Sequence, residues 1–469
     1  MAEYDAVVIG SGPNGLAAAV VLAQSERRVL VIESSDRIGG GTRTDELTLP
    51  GFLHDVCSAI HPLGVASPFF REIGAGDWVD PEIPVAHPLD GGRVGALYRS
   101  LDDTVGGLAT DGARYRRLVG RLVENAHDVI GQILGPLRIP PSHPVTLGRF
   151  GLPGLLPAST VVRGLQTDPA RALYAGLAAH AIAPFNHPFT GAVASIFAVT
   201  AHVYGWPMVR GGSQRLAEEL AARVVNGGGT VEMGRVIRSL DGIPPAPIVM
   251  LDVMPEAALR IGGHRLDGAS RRRLGRRKTG PGAFKVDWAL DGPIPWADEE
   301  SGRAGTVHVG GTYEEVAAAE EAVHSGRHPD RPFVIVAQQS LFDQTRAPAG
   351  KHTAWGYCHV PARSDRDMTG SIEAQIERFA PGFRDLILAR HVMGPTAFED
   401  YNSNYVGGDI AGGAFGVRRI LQFGETRPYR IGEGLYLCSS ATPPGAGVHG
   451  MCGYHAARAA IKEASRSAG

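Results

Sequence analysis

The chain is poor in cysteine. Cys57, Cys358, Cys438 and Cys452 lie too far apart for a CxxC metal knuckle or a dense disulfide frame, so buried thiols in a reducing compartment are expected. Net charge is also nearly absent: 46 Lys and Arg stand against 48 Asp and Glu, a formal charge of -2. That balance excludes a general pull towards nucleic acid or acidic surfaces. No apolar run is long enough to span a bilayer. The most apolar one, Gly191 to Trp206, contains His202 and reads as a core or pocket-lining helix. His308 and His359 have neither a histidine at i+4 nor a neighbouring acid, so no metal site is expected. The first apolar run begins near Tyr4, which leaves no room for a signal peptide, and a cytoplasmic location is the expectation.

Glycine, by contrast, is abundant and ordered. Ala6-Val7-Val8-Ile9 ends in Gly10-Ser11-Gly12-Pro13-Asn14-Gly15, and an alanine-rich helical segment follows. Gly10 permits the tight turn out of the strand, Gly12 lets backbone approach a pyrophosphate, and Gly15 lets the helix pack close to the sheet. The first-turn amides and the helix dipole then face an anion. A second apolar run, Arg28 to Ile32, ends at Glu33, 18 positions after Gly15, where a carboxylate can accept hydrogen bonds from ribose hydroxyls. Strand, triplet, helix, strand and acid in this order mark a dinucleotide site.

Past Glu33 comes Asp36-Arg37-Ile38-Gly39-Gly40-Gly41-Thr42-Arg43-Thr44. Its glycines can run backbone against a ligand, and Arg37 and Arg43 can neutralise phosphate oxygens. Together with Pro50-Gly51-Phe52-Leu53-His54-Asp55, this run resembles the FAD-binding signature of the FAD-dependent amine oxidase and phytoene dehydrogenase superfamily. Gly41 stands where the amine oxidase branch has arginine, so the likeness leans to the phytoene desaturase-like branch. The resemblance implies FAD as cofactor, held by Gly10, Gly12, Pro13, Asn14, Gly15, Glu33, Ser34, Arg37, Gly39, Gly40, Gly41, Thr42, Arg43 and Thr44.

From Pro68 to His202 helical stretches alternate with proline-rich breaks. Arg114–Leu134 and Pro169–Ala183 show helical spacing, and 136–157 reads as a long surface loop. The resemblance makes this region a helical substrate-binding insertion, as the discontinuity of the FAD motifs also argues, while composition alone fits an independent helical domain equally well. Trp206 to Gln214 and the amphipathic Arg215 to Asn226 return to the nucleotide domain, and Val236 is implied to meet the adenine through its backbone. Two prolines between Arg238 and Ile248 leave little room for a hairpin, so a trimmed sheet edge is expected. The basic cluster Arg271-Arg272-Arg273, Arg276-Arg277-Lys278 reads as a solvated face or as a peripheral contact with an anionic membrane.

In the run Ala283 to Leu290, Phe284, Val286, Trp288 and Leu290 share one face and leave Lys285 and Asp287 on the other. The run resembles the amine oxidase strand whose lysine holds a water near flavin N5, which makes Lys285 a catalytic candidate; a snorkelling lysine or an ion pair with Asp287 is the structural alternative. Beyond it the pattern is strand, helix, strand, helix, over 307–310, 313–324, 332–338 and 371–379. The tail, Gly434 to Met451, is similar to the final FAD motif of phytoene desaturase-like proteins, which implicates Ser440, Gly447, Val448, Gly450 and Met451 at the flavin pyrimidine. His61 and His449 sit beside FAD motifs, each as base, flavin tether or hydrogen-bonding group.

The fold class implied is α/β. It comprises a Rossmann-like three-layer FAD-binding domain of the glutathione-reductase and amine-oxidase type over 1–67, 205–282 and 420–469. A discontinuous α+β substrate domain with a helical insertion covers 68–204 and 283–419. The implied activity is hydride transfer from a lipophilic small molecule to flavin N5, with oxygen, a quinone or another diffusible acceptor taking the electrons. No second Gly-x-Gly-x-x-Gly follows a strand and opens a helix, so a separate NAD(P)H site lacks support. A redox-neutral flavin isomerase and a non-enzymatic lipid-binding escort of the GDP-dissociation-inhibitor type are the rival readings.

Overall fold

The computed structural model describes residues 3–136, 156–424 and 426–467. The loop expected over 136–157 therefore lies, apart from its ends, outside the described residues.

A six-stranded sheet is ordered Arg430–Gly432, Leu435–Leu437, Ile248–Leu251, Ala6–Ile9, Val29–Ile32, Thr230–Glu232. All neighbours are parallel except the first pair. The central strands read as unbroken apolar runs because both faces are covered. Val8 and Val31 pack with Leu16, Leu216, Leu220 and Ala456 on one side, from the helices Pro13–Gln24, Gln214–Asn226 and Met451–Ser467. On the other side Val7, Ile32 and Val249 meet Ala258, Ile261 and Leu274 from Pro255–Gly262 and Gly268–Leu274. This is the three-layer dinucleotide fold. Between Thr230–Glu232 and Ile248–Leu251 the described residues hold a short 3-10 turn, Leu240–Gly242, and no hairpin, as the two prolines implied.

The second sheet has seven strands, ordered Ile387–Met393, Gly282–Leu290, His352–Val360, Val334–Ala337, Ala304–Val309, Ile83–Leu89, Arg93–Leu97. The alternation along Gly282–Leu290 is realised: Phe284, Val286, Trp288 and Leu290 pack on Ile372, Ile376, Phe379 and Phe383. The reading of the segment after Pro68 as helical stretches between proline-rich breaks does not include the hairpin Ile83–Leu89 and Arg93–Leu97. Pro84 and Pro88 disguise its first strand, since proline cannot donate to a ladder and argues against an interior strand. Helices Asp168–Ala179 and Thr190–Val203 cover the opposite face, while 114–134 divides into Gly112–Glu124 and Ala126–Ile133. Among the described residues no helix is long and apolar enough to cross a membrane.

Candidate functional site

A cavity of about 1060 Å³ extends from the carboxyl ends of the parallel strands to the helical cover of the second sheet. Its polar end is built on the glycine turn. Gly10 has φ +99°, and a Cβ there would lie 2.7 Å from the Asp252 carbonyl oxygen. One on Gly12 would lie 2.7 Å from Asp252 Oδ2, and one on Gly15 would lie 2.2 Å from the Gly10 oxygen. The three glycines thus make room for one another and for Asp252, and the opened backbone forms a cradle of dinucleotide shape. Asp252 was missed in sequence as a site residue. The signal was its place just after Ile248–Leu251, because the register Ile9 to Leu251 sets it beside Gly10. Its Oδ2 accepts a hydrogen bond from Gly15 N at 2.9 Å, and burial pushes its carboxyl up to about 7.

Glu33 closes the next part of the wall. Its Oε2 accepts from Ser11 N and Ser11 Oγ, and its Oε1 accepts from Ser35 N and Ser34 Oγ. Arg43 lines the cavity with its guanidinium 3.5 Å from Glu33, donating to the Arg37 and Ile38 carbonyls. Arg37 does not join it. Its guanidinium donates instead to Asp45 and to the Thr44 carbonyl, which corrects its reading as a phosphate ligand. Gly15, Gly39, Thr42 and Thr44 stand behind the wall: Thr42 Oγ1 donates to the Gly39 carbonyl, and Thr44 Oγ1 donates to Asp55 Oδ1. Gly10, Gly12, Pro13, Asn14, Ser34, Gly40 and Gly41 are on the wall, and Val236 also lines it with its side chain largely exposed.

Gly41 has a physical partner. A Cβ there would lie 2.1 Å from the Tyr405 hydroxyl, so Tyr405 fills the space that a side chain at 41 would claim. Tyr405 and Cys57 line the cavity together, and burial pushes the Cys57 thiol up.

Both histidines named from sequence are buried on the wall, each with one nitrogen that has no partner among the described residues. Ser213 Oγ donates to the Ser58 carbonyl, so the 2.8 Å contact between His61 Nε2 and Ser213 Oγ is a donation from His61, and His61 Nδ1 is a bare acceptor. His449 Nδ1 accepts from Met451 N at 3.0 Å, which places the His449 proton on the unpartnered Nε2. Burial holds both imidazoles down to about 4, hence neutral. The Met451 amide is therefore occupied, and neither Gly450 nor Met451 lines the cavity; the wall here is Gly445 to His449, with Ser440 beside it. This corrects the reading of the helix start: Gly450 serves packing, since a Cβ there would lie 2.8 Å from a Phe70 ring carbon. These orphaned atoms, with Asn14 Oδ1, are groups that a bound dinucleotide would satisfy.

Lys285 does not line the cavity. It is fully buried and donates to both oxygens of Asp287, its i+2 neighbour on the same strand face. His54 Nδ1 and His391 Nδ1 flank Asp287 at 3.6 and 3.5 Å. Despite burial, the Lys285 charge holds the Asp287 carboxyl below its ordinary value, while burial pulls His54 down to about 4. The structural alternative, an ion pair, is what the strand realises.

The other end of the cavity is apolar. Ile182, Phe189, Val193, Ile196, Phe197 and Trp206 form it, together with His180, Trp355 and Tyr357. Among the described residues no group of three or more His, Cys, Asp or Glu is arranged to hold a metal ion.

Residues 8–73 match the family model of the NAD(P)-binding Rossmann-like domain. Pyridine nucleotide-disulfide oxidoreductase domain-containing protein 2 of Mus musculus is 24% identical over 98% of this chain and 94% of its own. Phytoene desaturase (neurosporene-forming) of Rhodobacter capsulatus is 28% identical over 52% of this chain and 51% of its own. Among solved structures, an oxidoreductase from Methanosarcina mazei superposes with TM-score 0.66 at 17% identity, covering 97% of this chain and 99% of that one. Cyclohexylamine oxidase from Brevibacterium oxydans gives 0.62 at 16%, covering 99% and 100%.

Proposed function

We infer that this chain, which belongs to the FAD-dependent amine oxidase and phytoene dehydrogenase superfamily, is a FAD-dependent oxidoreductase acting on a lipophilic small molecule. The observation that carries this reading is the continuity of one cavity from the glycine cradle to the apolar chamber. FAD, when bound, supplies the capacity to take a hydride equivalent from a substrate carbon and pass the electrons to oxygen, a quinone or another diffusible acceptor. The chain supplies the rest. Gly10, Gly12 and the Pro13–Gln24 helix start give the pyrophosphate a close, positively polarised seat, and Glu33 offers a buried carboxylate to ribose. His61 Nδ1 and His449 Nε2–H present an acceptor and a donor from opposite segments. Phe189, Ile196 and Phe197 exclude water from the reacting end.

The fit of Tyr405 against Gly41 supports a phytoene desaturase-like reading over an amine-oxidase one, because the arginine of that branch has no room here. The intact cradle supports an enzyme over an escort. Peripheral contact with an anionic bilayer through the exposed Arg271, Arg272 and Arg276 belongs to the same reading. The test is direct: the purified protein is expected to carry one FAD, whose absorbance bleaches anaerobically with a lipophilic donor and returns on addition of an acceptor. A colourless protein that cannot be reconstituted with FAD would overturn it.

A further inference from the structure

At the apolar end of the cavity three histidines stand in line, His180 half-buried on the cavity wall and His308 and His87 buried behind it. His180, just past the Asp168–Ala179 helix, lines the chamber, with Phe197 and Trp206 packed against its ring. Its Nε2 is 3.1 Å from Nε2 of His308, a fully buried residue of Ala304–Val309. Behind His308, on the adjoining strand Ile83–Leu89, His87 Nε2 contacts the Gly311 carbonyl at 2.8 Å. A Cβ on Gly176 would lie 2.4 Å from His308 Nδ1 and 2.9 Å from His87 Nδ1, so a glycine inside the helix keeps space for both rings.

The protons on these rings can be assigned. His87 donates from Nε2 to a carbonyl, so its Nδ1 is bare. Among the described residues His308 Nδ1 is buried without a partner. A proton there would leave an orphaned N–H, the rarer of the two buried defects, whereas a bare lone pair is better tolerated. His308 therefore donates from Nε2 to a bare His180 Nε2, and neutral His180 carries its proton on Nδ1, which has no hydrogen-bond partner among the described residues. Burial keeps all three uncharged, pulling His180 down to about 3, His87 to about 4 and His308 well below its ordinary value. A second donor supports a polar ligand atom here: Trp355, on the same chamber wall, has a buried Nε1–H without an acceptor among the described residues.

We propose that His180 is a substrate-binding residue whose Nδ1–H holds a carbonyl or hydroxyl oxygen, so that the substrate is an oxygen-bearing lipophilic molecule rather than a plain hydrocarbon. This rests on the function inferred above and names its substrate class. His308 is a positioning residue: it acts through the proton it fixes on His180. In a chamber lined mostly by apolar side chains such a donor orients a ligand by rewarding placement of an oxygen against it and penalising a ligand that leaves the donor unpaired.

The test is direct binding of two matched probes, 4-phenylcyclohexanone and phenylcyclohexane, to the protein as purified with its FAD. The ketone-to-hydrocarbon affinity ratio is expected to fall by about three- to tenfold in His180→Phe and in His308→Leu, the range of one neutral hydrogen bond. Hydrocarbon affinity should hold in both, and His308→Gln, which keeps an N–H near the position of Nε2, should retain the wild-type ratio. An unchanged ratio in His180→Phe, or no binding of either probe to the wild type, overturns the proposal. Because binding is read without turnover, the ratio decides the matter whatever the FAD content. Absence of FAD overturns the functional reading alone.

Discussion

Arg346 Nη1 lies 3.0 Å from Asp55 Oδ2, with both side chains fully buried and 291 positions apart in the chain. The same guanidinium donates to Asp343 Oδ2 and to the Val209 carbonyl, while Asp55 Oδ1 accepts from Thr44 Oγ1 and Ser213 N. One buried cation thus binds together the FAD-signature loop, the segment that returns to the nucleotide domain and a loop of the second sheet. Ser213 in turn fixes His61. Arg346→Met leaves Asp55 and Asp343 without their cation, and is expected to cost about 3–5 kcal/mol, as for other broken buried pairs. Urea unfolding checks it; a loss below about 1 kcal/mol would remove the clamp role.

Gly41 and Tyr405 form a steric pair that a double-mutant cycle can expose. Gly41→Ala places a methyl 2.1 Å from the Tyr405 hydroxyl and should destabilise by about 1–3 kcal/mol through overpacking. Tyr405→Phe removes that oxygen and leaves the ring carbon at 3.4 Å, ordinary contact. The same Gly41→Ala change is therefore expected to be nearly neutral in the Tyr405→Phe background. Additive effects in FAD-loaded thermal melts would contradict the pairing.

Lys285 offers a stability test with a defined sign. Asp287 is held below its ordinary pKa, so its contribution is present above the unfolded carboxylate range and is lost as pH falls through the folded value. In Lys285→Met burial acts on Asp287 without the cation, and the carboxyl should rise. The stability gap between wild type and Lys285→Met is thus expected to be widest near pH 7 and to narrow as pH falls to about 4. Denaturant melts across that window check it. A gap independent of pH would show that Asp287 is not held by Lys285.

Asp252 carries the opposite sign. Burial raises its carboxyl to about 7, so folding is favoured at low pH and that favour drains away as pH rises from the unfolded carboxylate value to the folded one. Asp252→Asn keeps an acceptor for Gly15 N and removes the titration. The apoprotein variant should lose the wild type's decline in stability between about pH 4 and 7. FAD affinity of the wild type should weaken as pH rises through and above about 7, where the folded carboxyl ionises and a bare carboxylate would lie beside the phosphates. A variant with the wild-type pH slope would locate that slope elsewhere.

What could be read from sequence was local backbone chemistry. The Gly10 to Gly15 turn, the acid at Glu33 and the alternation of Phe284 to Leu290 each depend on neighbours within one strand, turn or helix start, and the structure keeps them. Gly41 was legible as a departure from a motif, but its reason was not, because Tyr405 comes from the far side of the chain. Arg37 looked like a phosphate ligand because sequence gives charge without direction; Asp45 and the Thr44 carbonyl decide where it points. The hairpin from Ile83 to Leu97 was hidden because its prolines obey local rules while its pairing is made by strands elsewhere in the chain. Whether Asp252, Lys285 and His180 touch a ligand, a partner ion or one another is fixed by register between distant strands and by burial. For Lys285, within Gly282–Leu290, a change of one residue in register would turn the side chain to the other face. The sequence by itself determined that a dinucleotide is bound at the first turn; only the tertiary structure decided which buried groups surround it, because desolvation and pairing exist only once those segments meet.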